Sequence, residues 1–296
     1  MFRVTRVLLL LLGVALLSSC DWTGLAYNHL GFVARHYVAG FVDLRPEQQR
    51  AFDQAFGEFW QWHRQTELPR YASTARHFAA ASQTLQTPQQ VDDEILLLDQ
   101  FGNSLSQHLL QQIAPLLPSL DDAQVAQILA EVDRRIEKSA KRSDALDDAH
   151  WRLRQSGQTI DGLEKFAGTL TPAQRHRVQS WTQTLPRDAA LARAAAQAWR
   201  NAFAEVLHRR HEPDNLGRVL ALTDVVDPAI ARFQRQRSDT RSRYVALLAE
   251  LSGSYTAAQR QKLASTLSAL AADLERLATD KPASNGWRIA GAALAA

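Results

Sequence analysis

Apolar positions return at every third and fourth residue along most of this chain. Tyr27, Leu30, Val33, Ala34, Tyr37, Val38 and Phe41 follow that spacing, and so do Val91, Ile95, Leu98, Phe101, Leu105, Leu109 and Ile113. A period near 3.6 marks one face of a helix, and the alternation expected of strands is missing. Prolines and glycines fall between these segments, at Pro46, Pro69, Pro88, Pro118, Pro172, Pro186, Pro213, Pro228 and Gly253, where helices start and stop. The pattern predicts an all-α fold, a multi-helix bundle of about nine or ten helices over residues 20–280, built as one domain or as two packed helical halves. From Lys281 the chain turns small, polar and alanine-rich, and 281–296 is expected to trail as a tail.

Several predicted starts share one pattern. "LRPEQ" ends at Gln48, "LDDAQ" at Gln124, "LTPAQ" at Gln174 and "YTAAQ" at Gln259, with a looser "TPQQ" ending at Gln90. These read as capping boxes, in which Thr87, Asp121, Thr171 or Thr256 accepts from the amide three residues on and the glutamine reaches back to the cap. Arg45 occupies the cap position before Gln48 and cannot accept. The glutamines are irregularly spaced, which excludes a repeat array.

The first twenty residues break the amphipathic pattern. Arg3 and Arg6 precede eleven unbroken apolar or glycine positions, Val7 to Leu17. As a helix that run reaches about 16 Å, half of what a membrane span needs. A charged start, a short apolar stretch and small residues before a cut site make a secretory signal, residues 1–19. Leu17-Ser18-Ser19-Cys20 resembles the lipobox of bacterial lipoproteins, and Cys20 is the one cysteine of 296 residues. The resemblance implies cleavage before Cys20 and acylation of its sulfur and new amino group, so that the chain partners with a membrane through lipid. It also implies that Asp21, following the lipidated cysteine, favours the periplasmic face of the inner membrane of a Gram-negative bacterium over the outer membrane. With no second cysteine, stability in an oxidising compartment must come from packing. The net charge of +3 largely vanishes on cleavage, since 34 basic residues less Arg3 and Arg6 leave 32 against 31 acidic. Nucleic acid is a poor partner on charge and compartment alike.

The stretch with most chemistry is "FDQAFGEFWQWHRQTELPRYA", from Phe52. On one helix Phe52, Phe56, Phe59, His63 and Glu67 share a stripe that begins apolar and ends polar. His63 and Glu67, one turn apart, are expected to pair. Pro69 is expected to end that helix and Tyr71 to open the next, leaving a corner. Trp60, Trp62, His63, Arg64, Glu67 and Tyr71 are the candidate binding residues there, either as a satisfied structural tie or as a groove lined by Trp60, Arg64 and Tyr71, since aromatics and arginine dominate binding hot spots. Arg237, in "RFQRQRSDTRSR", shares the apolar stripe of Ile230, Phe233, Tyr244, Leu248 and Leu251 and is expected to need a buried carboxylate or an interface, as a structural ion pair or as a site for an anion or an acidic partner. Arg232, Arg235 and Arg243 read as a solvated face. His208 and His211 are too few for zinc, which takes three or four ligands. No metal or other cofactor is implied, and no nucleophile elbow, phosphate-cradling loop or HExxH motif is present.

Two resemblances bear on function. Cys20, Tyr27, Asn28, Asp43, Leu44 and Gln48, followed by Trp62, His63, Arg64, Glu67, Leu68, Pro69 and Tyr71, resemble the opening quarter of a family of bacterial lipoproteins built on a domain of unknown function. That family implies fold and location and brings no activity. "LTPAQ" resembles the LTxxQ motif of short helical periplasmic stress chaperones. The sequence therefore points to a lipid-anchored periplasmic protein acting by protein–protein binding at the cell envelope, with a holdase-type chaperone as the alternative and an enzyme built from dispersed residues as the third reading.

Overall fold

Aspartates, threonines and prolines set where the helices begin. The computed structural model describes Tyr27 and residues 30–279, and among these there are eleven α-helices and no strand. They are α1 (Leu30–Ala39), α2 (Pro46–Trp62), α3 (Leu68–Ala81), α4 (Pro88–Ile113), α5 (Asp122–Asp144), α6 (Asp148–Ala167), α7 (Pro172–Gln183), α8 (Ala189–His208), α9 (Asn215–Ala221), α10 (Pro228–Ser254) and α11 (Ala257–Thr279). A π turn, His63–Glu67, joins α2 to α3, and a 3₁₀ segment, Ala114–Ser119, extends α4. The π turn makes α2 and α3 one rod, so the described chain forms an all-α bundle of ten rods. The signal 1–19, Cys20, Asp21, Asn28 and the tail 281–296 lie outside the described residues.

Pro46, Pro88, Pro172 and Pro228 each occupy a first helical position, where a missing N–H leaves no bond unmade. Thr87, Asp121, Asp147, Thr171, Asp188 and Asp227 accept amide hydrogen bonds at their caps. Gly168, at φ 78°, closes α6 in a conformation that an L side chain rarely adopts.

Four of the capping glutamines do more than cap. Gln48 and Gln124 meet side by side, each Nε2 donating to the other's Oε1 at 2.9 and 2.7 Å, and Gln174 and Gln259 do the same at 3.0 and 2.9 Å. Each oxygen also accepts its own cap amide, and each nitrogen also donates to a carbonyl in the partner's loop: Ser119, Asp43, Ser254 and Thr169. All four side chains are buried, and every donor and acceptor of the two carboxamide pairs is filled, which is what burial requires. The starts of α2 and α5 are clasped in one pair and those of α7 and α11 in the other. At the first clasp Arg45 crosses to Asp121 at 2.6 Å and to the Ser119 carbonyl at 2.7 Å. Gln90 is exposed and only caps α4.

The apolar faces sort into neighbouring cores. Leu68, Tyr71, Ala72 and Ala75 of α3 pack on Ala271, Leu274 and Leu277 of α11, with Tyr27 and Leu30 completing the cluster. Val125, Ile128 and Leu129 of α5 meet Ala204 and Leu207 of α8, and Ile160, Val178, Trp181, Leu247 and Leu251 join α6, α7 and α10. Among the described residues no helix is long and apolar enough to cross a membrane.

Candidate functional site

Pro69 does not end its helix. Inside an α-helix its ring would press on the Gln65 carbonyl and leave that oxygen without a donor. The chain instead widens by one residue: the Leu68 amide donates to the His63 carbonyl, and the backbone at Trp62, Glu67 and Leu68 stays helical. The expected corner is a continuous rod carrying a π bulge, a feature that recurs at functional sites.

The bulge turns its polar side chains inward. His63, Arg64 and Glu67 are all buried, Glu67 with no exposure at all, and Tyr71 is buried beside them. His63 does not pair with Glu67, because a turn closed over five residues no longer stacks positions four apart. His63 Nδ1 instead shares a hydrogen bond of 2.9 Å with Tyr27 Oη, and its ring stacks on Trp60, centroids 4.9 Å apart. Glu67 accepts from Arg70 at 2.7 Å and from the Ser104 hydroxyl at 3.0 Å. Arg64 donates to the Leu277 carbonyl at 2.9 Å in the last turn of α11, where carbonyls lack intrahelical donors. Its guanidinium also lies over the Tyr27 ring at 4.9 Å. Trp60 and Trp62 are partly exposed, and Trp62 stacks face to face on His108 at 3.8 Å.

Burial, with the Arg64 charge added, brings His63 down to about 4. It is therefore neutral near pH 7. Burial pushes the Tyr27 hydroxyl up against the pull of Arg64, and burial together with the Glu67 carboxylate pushes the Tyr71 hydroxyl up. The cluster holds two protonated phenols and a neutral imidazole, with Glu67 bonded through Oε1 while its Oε2 is buried without a hydrogen-bond partner, and it ties Tyr27, the α2–α3 rod, α4 and the end of α11 together.

Arg237 is exposed rather than buried. One turn on, Arg241 donates to Asp92 at 2.9 Å and to Asp99 at 2.5 Å and so binds α10 to α4. Arg232, Arg235 and Arg243 are exposed, with Arg243 paired to Asp239. Arg210, passed over in the sequence, is buried on the Leu120 and Leu207 carbonyls and Asp122. His208 and His211 are exposed, and among the described residues no three metal-binding side chains converge.

A second feature has no counterpart in the sequence patterns. A cleft of about 570 Å³ opens between the end of α3, the start of α4, and α6, α10 and α11. Phe78, Val91, Leu163, Phe166, Leu248 and Leu267 give it apolar walls, and Glu94, Gln158, Thr159, Tyr244 and Tyr255 supply polar groups. Its volume falls in the range of small-molecule sites, about 300–1,000 Å³. Arg260 supports one rim from below, with its guanidinium on the carbonyls of Ser82, Thr84 and Ser252. These residues come from five helices and share no local motif, so no short-range signal joins them.

An all-α bundle with a closed polar cluster at one π bulge and an open apolar cleft is thus the class of protein that fold and sites define. Residues 40–226 match the family of unknown function DUF6279, well over half of the chain, and the protein belongs to that family. The match takes in the π bulge, Glu94 and the α6 wall of the cleft, and ends before α10 and α11. No curated protein and no solved structure matches the chain.

Proposed function

We propose that this chain is a lipid-anchored protein on the periplasmic face of a Gram-negative envelope that acts by binding, and that the five-helix cleft is where it binds. The observation that carries the reading is the cleft itself: a recess of about 570 Å³ whose apolar walls and polar groups are open to a guest, whereas Arg64, His63, Glu67 and Tyr71 are enclosed. The anchor rests on Cys20 behind a short apolar run with Arg3 and Arg6 ahead of it, and Asp21 favours the inner membrane. The start of α1 also suits an anchor. Leu30 lies within about 35 Å of extended chain from Cys20, and Phe32 and Val33 are 57% and 52% exposed, as befits a helix held against lipid.

Two measurements test this reading. The mass of the mature N-terminal peptide should show acylated Cys20; an unmodified residue would remove the anchor. A photo-crosslinking residue at Leu163, placed in the full lipoprotein in living cells, should capture a discrete species that probes at Trp62 and Arg235 do not. Equal capture at the three positions contradicts the cleft, and a smear of many envelope proteins from Leu163 would favour a holdase.

A further inference from the structure

The polar groups of the cleft select among guests. Glu94, Gln158, Thr159, Tyr244 and Tyr255 line it, and none of them hydrogen-bonds to another described side chain or carbonyl. Glu94, Thr159, Tyr244 and Tyr255 are half-buried and Gln158 is exposed, and half-buried polar groups without protein partners are what a ligand's head group would satisfy. The charge at the cleft has one sign. Among the described lining residues Glu94 is the one ionisable acid or base besides the two phenols; no ion pair links it to another described residue, and His77 is the charge that acts on it. Arg260, on one rim, has its guanidinium held by three backbone carbonyls, which fix its position away from a guest. An anionic head placed at Glu94 would meet a like charge with no lysine or arginine among the described lining residues, whereas a neutral or cationic head would not be repelled.

We infer that the cleft takes a single-chain amphiphile, its chain between the α6 and α10 walls and a neutral or cationic hydrogen-bonding head at Glu94, Tyr244 and Tyr255. This rests on the reading of the cleft as the binding site and adds the class of ligand. The lining suits a chain: Phe78 of α3, Val91 of α4, Leu163 and Phe166 of α6, Leu248 of α10 and Leu267 of α11 are its large apolar side chains. Gly162 opens the α6 wall, since a Cβ built there meets nothing within 4 Å. Burial keeps the Glu94 carboxyl above its usual range, partly offset by His77, which agrees with an apolar surround.

The test uses the full lipoprotein in its membrane and three photoactivatable probes of one chain length: a monoacylglycerol, an alkylamine and a fatty acid. Labelled peptides are mapped by mass spectrometry. The neutral probe, the cationic probe or both should label α6 around Leu163 and Phe166 at least fivefold more than the fatty acid, and the stronger of the two names the head group. Gly162→Trp should cut that labelling at least tenfold, while Gly157→Trp, whose Cβ also meets nothing within 4 Å but which does not line the cleft, should leave it unchanged. Glu94→Gln should raise fatty-acid labelling towards that of the monoacylglycerol, a charge readout that does not depend on the glycine variant. The inference is overturned if the fatty acid labels the wild type as strongly as the others, or if Gly162→Trp changes nothing. It is also overturned if no probe labels α6 while a crosslinker at Leu163 captures a discrete protein, an outcome that would leave the cleft a binding site for a different guest.

Discussion

Gln174 and Gln259 exchange both of their amide hydrogen bonds across the starts of α7 and α11, at 3.0 and 2.9 Å. Each carboxamide is otherwise filled by its own cap and the partner's loop, so removing one leaves buried groups on the other without partners. Gln174→Leu should cost about 1–3 kcal/mol. Gln174→Leu with Gln259→Leu should cost clearly less than the sum of the two single changes, because the second removes groups already orphaned. Urea denaturation of the three variants reads this; additive losses would mean the two glutamines act only as separate caps.

The buried imidazole makes stability depend on pH. Folded His63 sits at about 4 against 6.5 for the free side chain, so the unfolded chain binds a proton that the folded chain refuses. The contribution of neutral His63 is therefore complete above about pH 6.5 and is lost as pH falls towards about 4, a total of a few kcal/mol. Denaturation midpoints between pH 4 and 7.5 should fall with acid in the wild type and fall less steeply in His63→Gln. Equal slopes would place the acid sensitivity elsewhere.

Arg64 joins the π bulge to the end of α11 through the Leu277 carbonyl. Arg64→Met keeps much of the apolar stem and removes the cap, and should destabilise the chain by about 2 kcal/mol. Amide exchange in the last two turns of α11 should rise more than in α5. Uniform acceleration across both helices would show that the contact is not local.

Arg241 reaches from α10 to two aspartates of α4. Arg241→Met breaks the contacts to Asp92 and Asp99 and should cost about 1 kcal/mol more than Arg232→Met, a change at an exposed position of the same helix. Equal losses, read from thermal midpoints, would contradict the assignment of the α10–α4 tie to Arg241.

The helical class and most helix starts were legible, because proline, threonine and aspartate at caps act locally. The buried residues His63, Arg64, Glu67 and Tyr71 were legible as a group from their clustering among aromatics. Their partners were not. Tyr27, Ser104 and Leu277 arrive from distant parts of the chain, and the π bulge at Pro69 shifted the register on which a His63–Glu67 pair depended. The four glutamines showed the caps but not the pairing, since a capping box looks the same in sequence whether it faces water or a second box. Arg237 and Arg241 both lie along one side of α10, and the positions of Asp92 and Asp99 on α4 decide between them. The cleft was invisible because it is the space left where five helices fail to close, and no residue pattern encodes a gap.

On this reading the cleft holds a guest. Native mass spectrometry of the mature lipoprotein, released gently from its membrane, tests it most directly when wild type and Gly162→Trp are compared at equal fold stability. A non-covalent adduct of one small, discrete mass on the wild type, absent from the variant, is the expected result; the same adduct on both chains, or on neither, would contradict the claim.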